Sequence, residues 1–211
     1  MNEAKLSNHR LAETTVSEYL RVLSELTLST EVTDGNGTTL SLDEGASRAV
    51  QMILSVGADS RKVMLVGNGG SAAIVSHMQN DLCKAVGIRA MVFTEQPLLT
   101  ALANDDGYVS VYEQPVKLWA EAGDLLLAVS SSGQSENLLR AVSASTTSKC
   151  GVITLSGFKP ENSLRRQGDI NFYVRSEFYG YVENAHRALT HFITDRAMMI
   201  ARGAKDADAG A

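Results

Sequence analysis

From Ser130 to Ser135 the chain reads SSSGQS, four hydroxyls and a glycine in six residues, after the apolar run Leu125–Val129 and before a helical pattern. In an open α/β sheet this is where a strand's carboxyl end meets the N-terminus of the next helix, whose free N–H groups and positive dipole end favour an anion. Ser130, Ser131, Ser132 and Ser135 can each donate a hydroxyl. Gly133 lets the backbone approach closely, and Ser135 can cap the helix. One serine would suffice for a cap and a turn, so the set points to a phosphate held by neutral donors.

Titratable groups fall on two helical patterns. His77 and Asp81 are four residues apart in the helix that follows the glycine turn VGNGGSAAIVSH. They share one face, about 6 Å apart along the axis, which suits a metal site, an acid–base pair or a solvated polar pair. The last helix offers Glu183, His186 and His191. At about 100° per residue, Glu183 and His191 lie roughly 80° apart around the helix and about 12 Å apart along it, while His186 and His191 lie about 140° apart. The two histidines cannot easily face one site. One ion touches both Glu183 and His191 only between two extended side chains, or if the helix begins after Glu183. Asn104, Asp105 and Asp106 in ALANDDGY form a turn that needs no ligand.

The glycine turn carries a competing pattern, since Gly67, Gly69 and Ala72 match G-x-G-x-x-A and Glu95 lies where a dinucleotide's ribose partner would sit. That reading leaves the serine loop unexplained. A small phosphosugar laid across the crevice would use both loops.

Five apolar segments position these groups: Lys62–Gly67, Arg89–Thr94, Asp124–Ser130, Cys150–Ser156 and Asp169–Val174. Most are continuously apolar, as strands covered on both faces are. Alternation with helical patterns gives an α/β fold with a doubly wound, five-stranded parallel sheet and additional N- and C-terminal helices. Residues 1–211 read as a single domain, with an N-terminal helical extension over about 1–55, a sheet core over about 60–176 and a C-terminal helix over about 181–202. Helical patterns cover roughly Ala12–Leu28 and Ser41–Leu54, with the polar STEVTDGNGTTLS between them read as a loop. The tail ARGAKDADAG reads as frayed. The first and last helices carry apolar faces that either cover their own sheet or pack between subunits.

The chain has 211 residues, a formal charge of -5 and no Lys/Arg block, which argues against a nucleic-acid or anionic-membrane surface. It has no signal-type leader and no stretch of ~18 apolar residues, so a cytoplasmic protein is expected. Cys83 and Cys150 lack ligand-like spacing and read as buried small hydrophobes.

Together GNGGSA, ANDDGY, GDLLLAVSSSGQSENLLRAV, GVITLSG and the last helix with Glu183 and His191 resemble the sugar isomerase (SIS) domain family, and within it the phosphoheptose isomerases, from about Leu40 to Arg196. The resemblance implies conversion of sedoheptulose 7-phosphate to glycero-manno-heptose 7-phosphate through an enediol. It places Asn68, Gly69, Ser71, Asp105, Ser130, Ser131, Ser132, Ser135 and Glu183 around the substrate, and makes Asp81 and His191 the catalytic pair. It implies zinc held by His77, Asp81, Glu183 and His191, and a homotetramer with sites shared between subunits. Asp81 stands where the family has Glu, and Glu183 where it has Gln. The shorter base matters, because a ~1 Å misplacement costs on the order of 100-fold in rate. The added charge suits Zn²⁺. SEFYGYVEN is compressed relative to the family, so no substrate contact carries over there. The rivals are a non-catalytic SIS protein of the DnaA-associated initiation factor type, and an isomerase or sensor for another phosphosugar. The presence of His77, Asp81 and His191 together argues for chemistry.

Overall fold

The computed structural model describes residues 14–209, with side chains described through residue 203. Five parallel strands form the middle and one edge of its sheet: β3 (Val63–Gly67), β4 (Ala90–Val92), β5 (Leu125–Ser130), β6 (Gly151–Ser156) and β7 (Ile170–Tyr173). A hairpin of β1 (Glu31–Asp34) and β2 (Thr39–Leu40) adds to β7 in antiparallel sense. The order is β2-β1-β7-β6-β5-β3-β4.

Every residue of β3 and β5 is buried, as their unbroken apolar runs require of strands covered on both faces. Because alternate side chains point to opposite faces, each strand feeds two cores. Leu65, Leu127, Ile153 and Phe172 join one of them, where they meet α2 (Leu42–Ala58), α3 (Gly70–Asp81) and α7 (Tyr179–Ala209). Met64, Leu126, Ala128 and Val152 join the other, against α5 (Glu113–Trp119) and α6 (Glu136–Thr147), with α4 (Gln96–Asp105) at its margin. The first helix, α1 (Val16–Leu28), has no buried residue and leans on α7.

The chain leaves β3 through α3 toward β4, and leaves β5 through α6 toward β6 on the opposite face. The direction of winding therefore reverses between β3 and β5. This opens a crevice at their carboxyl ends, where Gly67 and Val129 are paired.

The sheet has seven strands rather than the expected five, because STEVTDGNGTTLS folds as the β1–β2 hairpin and not as a loop. Its strands are short and polar, so periodicity does not reveal them. What fixes them is tertiary: Val32 is buried against Gly45 of α2, where an added Cβ would collide with it. The turn is closed by Asp34, whose Oδ1 accepts from the Asn36 and Thr38 amides at 2.9 Å each. At the other end, α7 runs through the segment expected to fray and reaches Ala209. Only one cysteine is buried as expected. Cys150 is covered and its thiol is pushed up to about 11, chiefly by burial, whereas Cys83 is exposed.

Candidate active site at the carboxyl edge of the sheet

The serine loop is held in shape before any ligand arrives. Gly133 has φ 62°, a left-handed conformation that favours glycine, and an added Cβ there would run into the Asn162 side chain. Asn162 is fully buried. Its Nδ2 donates to the Gly157 and Lys159 carbonyls at 3.1 and 2.8 Å, and its Oδ1 accepts from the Arg165 amide at 3.0 Å. The Leu164 amide donates to the Gly133 carbonyl at 3.0 Å. Inside the loop, Ser130 Oγ accepts from the Gly133 amide at 3.1 Å and Ser132 Oγ accepts from the Gln134 amide at 3.3 Å. Both hydroxyls keep their own hydrogens for other acceptors.

Two further hydroxyls are uncommitted. Ser135 is the N-cap of α6 but makes no side-chain capping bond, unlike Thr15 and Ser41 at the starts of α1 and α2. Ser131 is buried and its Oγ has no partner within the protein. A buried polar group left unpaired costs about 1–3 kcal/mol.

Facing this loop is the glycine turn between β3 and α3. Gly67 packs against the Ser71 backbone, and Gly69 takes φ 53° at the start of α3. Asn68 and Asn137 exchange side-chain amide bonds of 3.0 Å in each direction, and Tyr108 donates to Asn68 Oδ1 at 3.1 Å. The two loops enclose a cavity of about 230 Å³, lined by Asn68–Ser71, by Ser130, Ser131, Ser132 and Ser135, and by Tyr179 and Glu183 of α7. Among the described residues, no Lys, Arg or His lines it. Attraction for an anion comes from hydroxyls and from the N-termini of α3 and α6.

Glu183 belongs to this cavity. Its carboxylate lies over Gly70, where any Cβ would collide with it. The other three residues of the expected metal set meet elsewhere, in a cleft between α3 and α7 that shares no lining residue with the serine pocket. Asp81 Oδ2 is 3.5 Å from His77 Nε2 and 3.7 Å from His191 Nδ1, and the two imidazoles meet edge to face at 4.8 Å. Candidate ligand atoms of all three lie within 4.8 Å of one another. Since α7 starts at Tyr179, Glu183 is already two turns below His191, about 12 Å along the axis.

The remaining candidates sit apart from both clefts. Asp105 is exposed at the end of α4, accepting from Asn104 Nδ2 at 2.7 Å, and Glu95 is exposed at the N-cap of α4. His186 is fully buried beneath the end of β6, its Nε2 3.1 Å from the Ser156 carbonyl and its Nδ1 without a partner. Burial pushes its pKa down to about 4. Sequence reasoning missed Tyr179, Asn137 and Asn162. Their roles depend on loops that meet only in three dimensions, and Asn137 carries no signal beyond standing in a helix's first turn.

The chain matches the SIS domain model over residues 38–157, a span that holds both loops together with His77 and Asp81. It is similar to the phosphoheptose isomerase of Thiobacillus denitrificans, with 30% identity over 78% of this chain and 86% of the relative. The phosphoheptose isomerase of Bordetella avium is 34% identical over 73% of this chain and 82% of its own. Among solved structures, a phosphoheptose isomerase from Neisseria gonorrhoeae superposes with a TM-score of 0.74 at 26% identity, covering 90% of this chain and 98% of its own. The fold extends to the NanR protein of Vibrio vulnificus complexed with ManNAc-6P, with a TM-score of 0.60 at 13% identity, over 93% of this chain and 67% of that one. The matched region is the one that builds the crevice and its two loops, and by that measure the chain belongs to the SIS domain family.

Proposed function

We propose that this protein is an aldose–ketose isomerase that interconverts sedoheptulose 7-phosphate and glycero-manno-heptose 7-phosphate through an enediol. The observation that carries the reading is a pocket between two helix N-termini that is lined by Ser130, Ser131, Ser132 and Ser135 and, among the described residues, by no Lys, Arg or His. Neutral donors with two dipole ends suit a phosphate monoester. The choice of a seven-carbon sugar is supported by the relatives named phosphoheptose isomerase.

Isomerisation needs a base that removes the proton from the carbon beside the carbonyl, and a group that returns it to the neighbouring carbon. Phosphate held by the serine loop orients the reacting end, so binding energy remote from the chemistry is used to position it. Asp81 and His191, the expected pair, lie in the second cleft. A second copy of the chain would supply them to a substrate in the serine pocket. Exposed Val16 and Leu20 on α1, and Phe192 and Met199 on α7, support such an assembly, which we take to be a cytoplasmic homotetramer. Two imidazoles and a carboxylate at these separations fit Zn²⁺, so His77, Asp81 and His191 would hold the ion. When bound, it would supply Lewis-acid polarisation of an oxygen.

The test is an isomerisation assay with sedoheptulose 7-phosphate, run with phosphate binding measured in parallel on the same protein. Turnover is the expected result. Binding of the sugar phosphate without turnover overturns the enzyme in favour of a sensing or binding module.

A further inference from the structure

Among the described residues, Ser60, Lys149 and Phe158 take a positive φ without being glycine. Ser60 and Lys149 follow the ends of α2 and α6, where a left-handed residue is common. Phe158, at φ 56°, follows a strand, and a left-handed backbone is an outlier for a bulky ring that persists only where its surroundings impose it. Those surroundings are specific. The Phe158 amide donates to the Ser176 carbonyl at 2.9 Å, and its carbonyl accepts from the Tyr173 hydroxyl at 2.7 Å. Tyr173 is fully buried, and the Arg165 guanidinium stands over its ring at 4.1 Å. At the preceding Gly157, an added Cβ would stand 2.7 Å from Val182 of α7 and 3.1 Å from the Ser131 carbonyl. The turn is thus fixed to the serine loop and to α7 at once, and what it delivers is the Phe158 ring, edge to face with Tyr179 at 4.8 Å.

Tyr179 opens α7, lines the cavity and stays 61% exposed. It is the one aromatic residue in the wall among the described residues, the others being asparagine, glycine, serine and Glu183. Hydroxyls and helix ends satisfy a phosphate, but they offer nothing to the carbon chain behind it. A sugar presents C–H bonds as well as hydroxyls, and C–H bonds polarised by neighbouring oxygens rest well on the negative face of an aromatic ring. We infer that Tyr179 is the residue that recognises the sugar carbons, so that the pocket separates a phosphosugar from free phosphate, and that Phe158 is its positioning residue. The assignment rests on the phosphosugar reading above. Backbone strain at Phe158 then has a use, since a relaxed turn would not hold a ring against Tyr179.

The experiment measures Kd for sedoheptulose 7-phosphate and for inorganic phosphate, with kcat and KM, on wild type, Tyr179→Ala, Tyr179→Phe and Phe158→Gly. Tyr179→Ala should bind the sugar phosphate about tenfold more weakly, the worth of roughly 50 Å² of apolar surface left uncovered, with inorganic phosphate unchanged. KM should rise with Kd at constant kcat, because the ring touches ground state and transition state alike. Tyr179→Phe keeps the ring and should match wild type. Phe158→Gly keeps the backbone bonds, loses the prop and should show the same selective loss, with no further loss when combined with Tyr179→Ala. Unchanged sugar-phosphate affinity in Tyr179→Ala overturns the inference and leaves the isomerase reading intact. A Tyr179→Phe loss as large as that of Tyr179→Ala, or a fall in kcat at constant Kd, also overturns it, because the hydroxyl and not the ring would then act. If wild type binds sedoheptulose 7-phosphate no more tightly than inorganic phosphate, the phosphosugar reading falls and Tyr179 with it. Should Phe158→Gly not fold, Phe158→Ala decides the positioning role: a wild-type ratio of the two Kd values overturns it, and a tenfold smaller ratio supports it.

Discussion

Asn68 of the glycine turn and Asn137 of α6 hold each other by two reciprocal 3.0 Å amide bonds, so the two loops of the pocket are fastened by one side-chain pair. Replacing Asn137 with Ala removes both bonds and leaves Asn68 with Tyr108 alone. The variant should lose about 1–3 kcal/mol of stability, at about 0.5–1.5 kcal/mol for each of the two hydrogen bonds, and should bind phosphate more weakly because its donors lose register. Urea midpoints and a phosphate titration on the same protein check both halves.

Ser131→Ala should separate binding from stability. Its hydroxyl has no partner in the free protein, so its removal leaves the urea midpoint unchanged or raises it. Sugar-phosphate affinity should fall by about 10- to 150-fold, the worth of about 1.5–3 kcal/mol for a hydrogen bond to a charged group. A large loss of stability with unchanged affinity would contradict the placement of the ligand.

Gly133→Ala should disable the serine loop. A left-handed non-glycine residue costs about 1–2 kcal/mol, and the new methyl also meets Asn162. Because Asn162→Ala removes that obstacle, the double variant should be less destabilised than the sum of the two single ones. Additive losses in a double-mutant cycle would show that the two residues do not touch.

His186 makes stability depend on pH in a narrow window. Its folded pKa is held near 4 by burial, against about 6.5 when unfolded. Between these values the unfolded chain binds a proton that the folded chain refuses. Stability from this group is therefore complete above about pH 6.5 and declines as pH falls toward 4, by about 2 kcal/mol between pH 7 and 5. His186→Gln can still donate to the Ser156 carbonyl and should lose this slope. Urea midpoints at pH 7, 6 and 5 measure it.

Zinc should stabilise the protein through His77, Asp81 and His191. At about 100 times its Kd, a ligand that binds only the folded state adds about 2.7 kcal/mol, which raises the thermal midpoint. In His77→Ala both the shift and the metal recovered on gel filtration should disappear.

The parts of the molecule legible in the sequence were those fixed by local pattern. The continuously apolar runs at Val63–Gly67 and Leu125–Ser130 announce buried parallel strands, and the serines after the second announce the turn into α6. The β1–β2 hairpin was hidden because Val32 needs the cover of α2 to become a strand residue, and a polar turn looks the same with or without pairing. The site was legible as a set of residue types and not as a partition. Helix arithmetic put Glu183 and His191 about 12 Å apart along the helix and left open whether one ion touches both. Only the packing of α7 across the start of α3 shows that Glu183 belongs with the serines and His191 with His77 and Asp81.

A pocket lined, among the described residues, by hydroxyls, helix ends and one carboxylate, with no cation, attracts its ligand only at short range. The chain carries a formal charge of -5, so a dianion approaching from solution is repelled over roughly a Debye length before it meets any donor. Added salt weakens that repulsion and leaves the dipoles at contact almost untouched. Capture of the sugar phosphate should therefore quicken with rising ionic strength, the reverse of a site built on lysine or arginine, with little change in the rate of release.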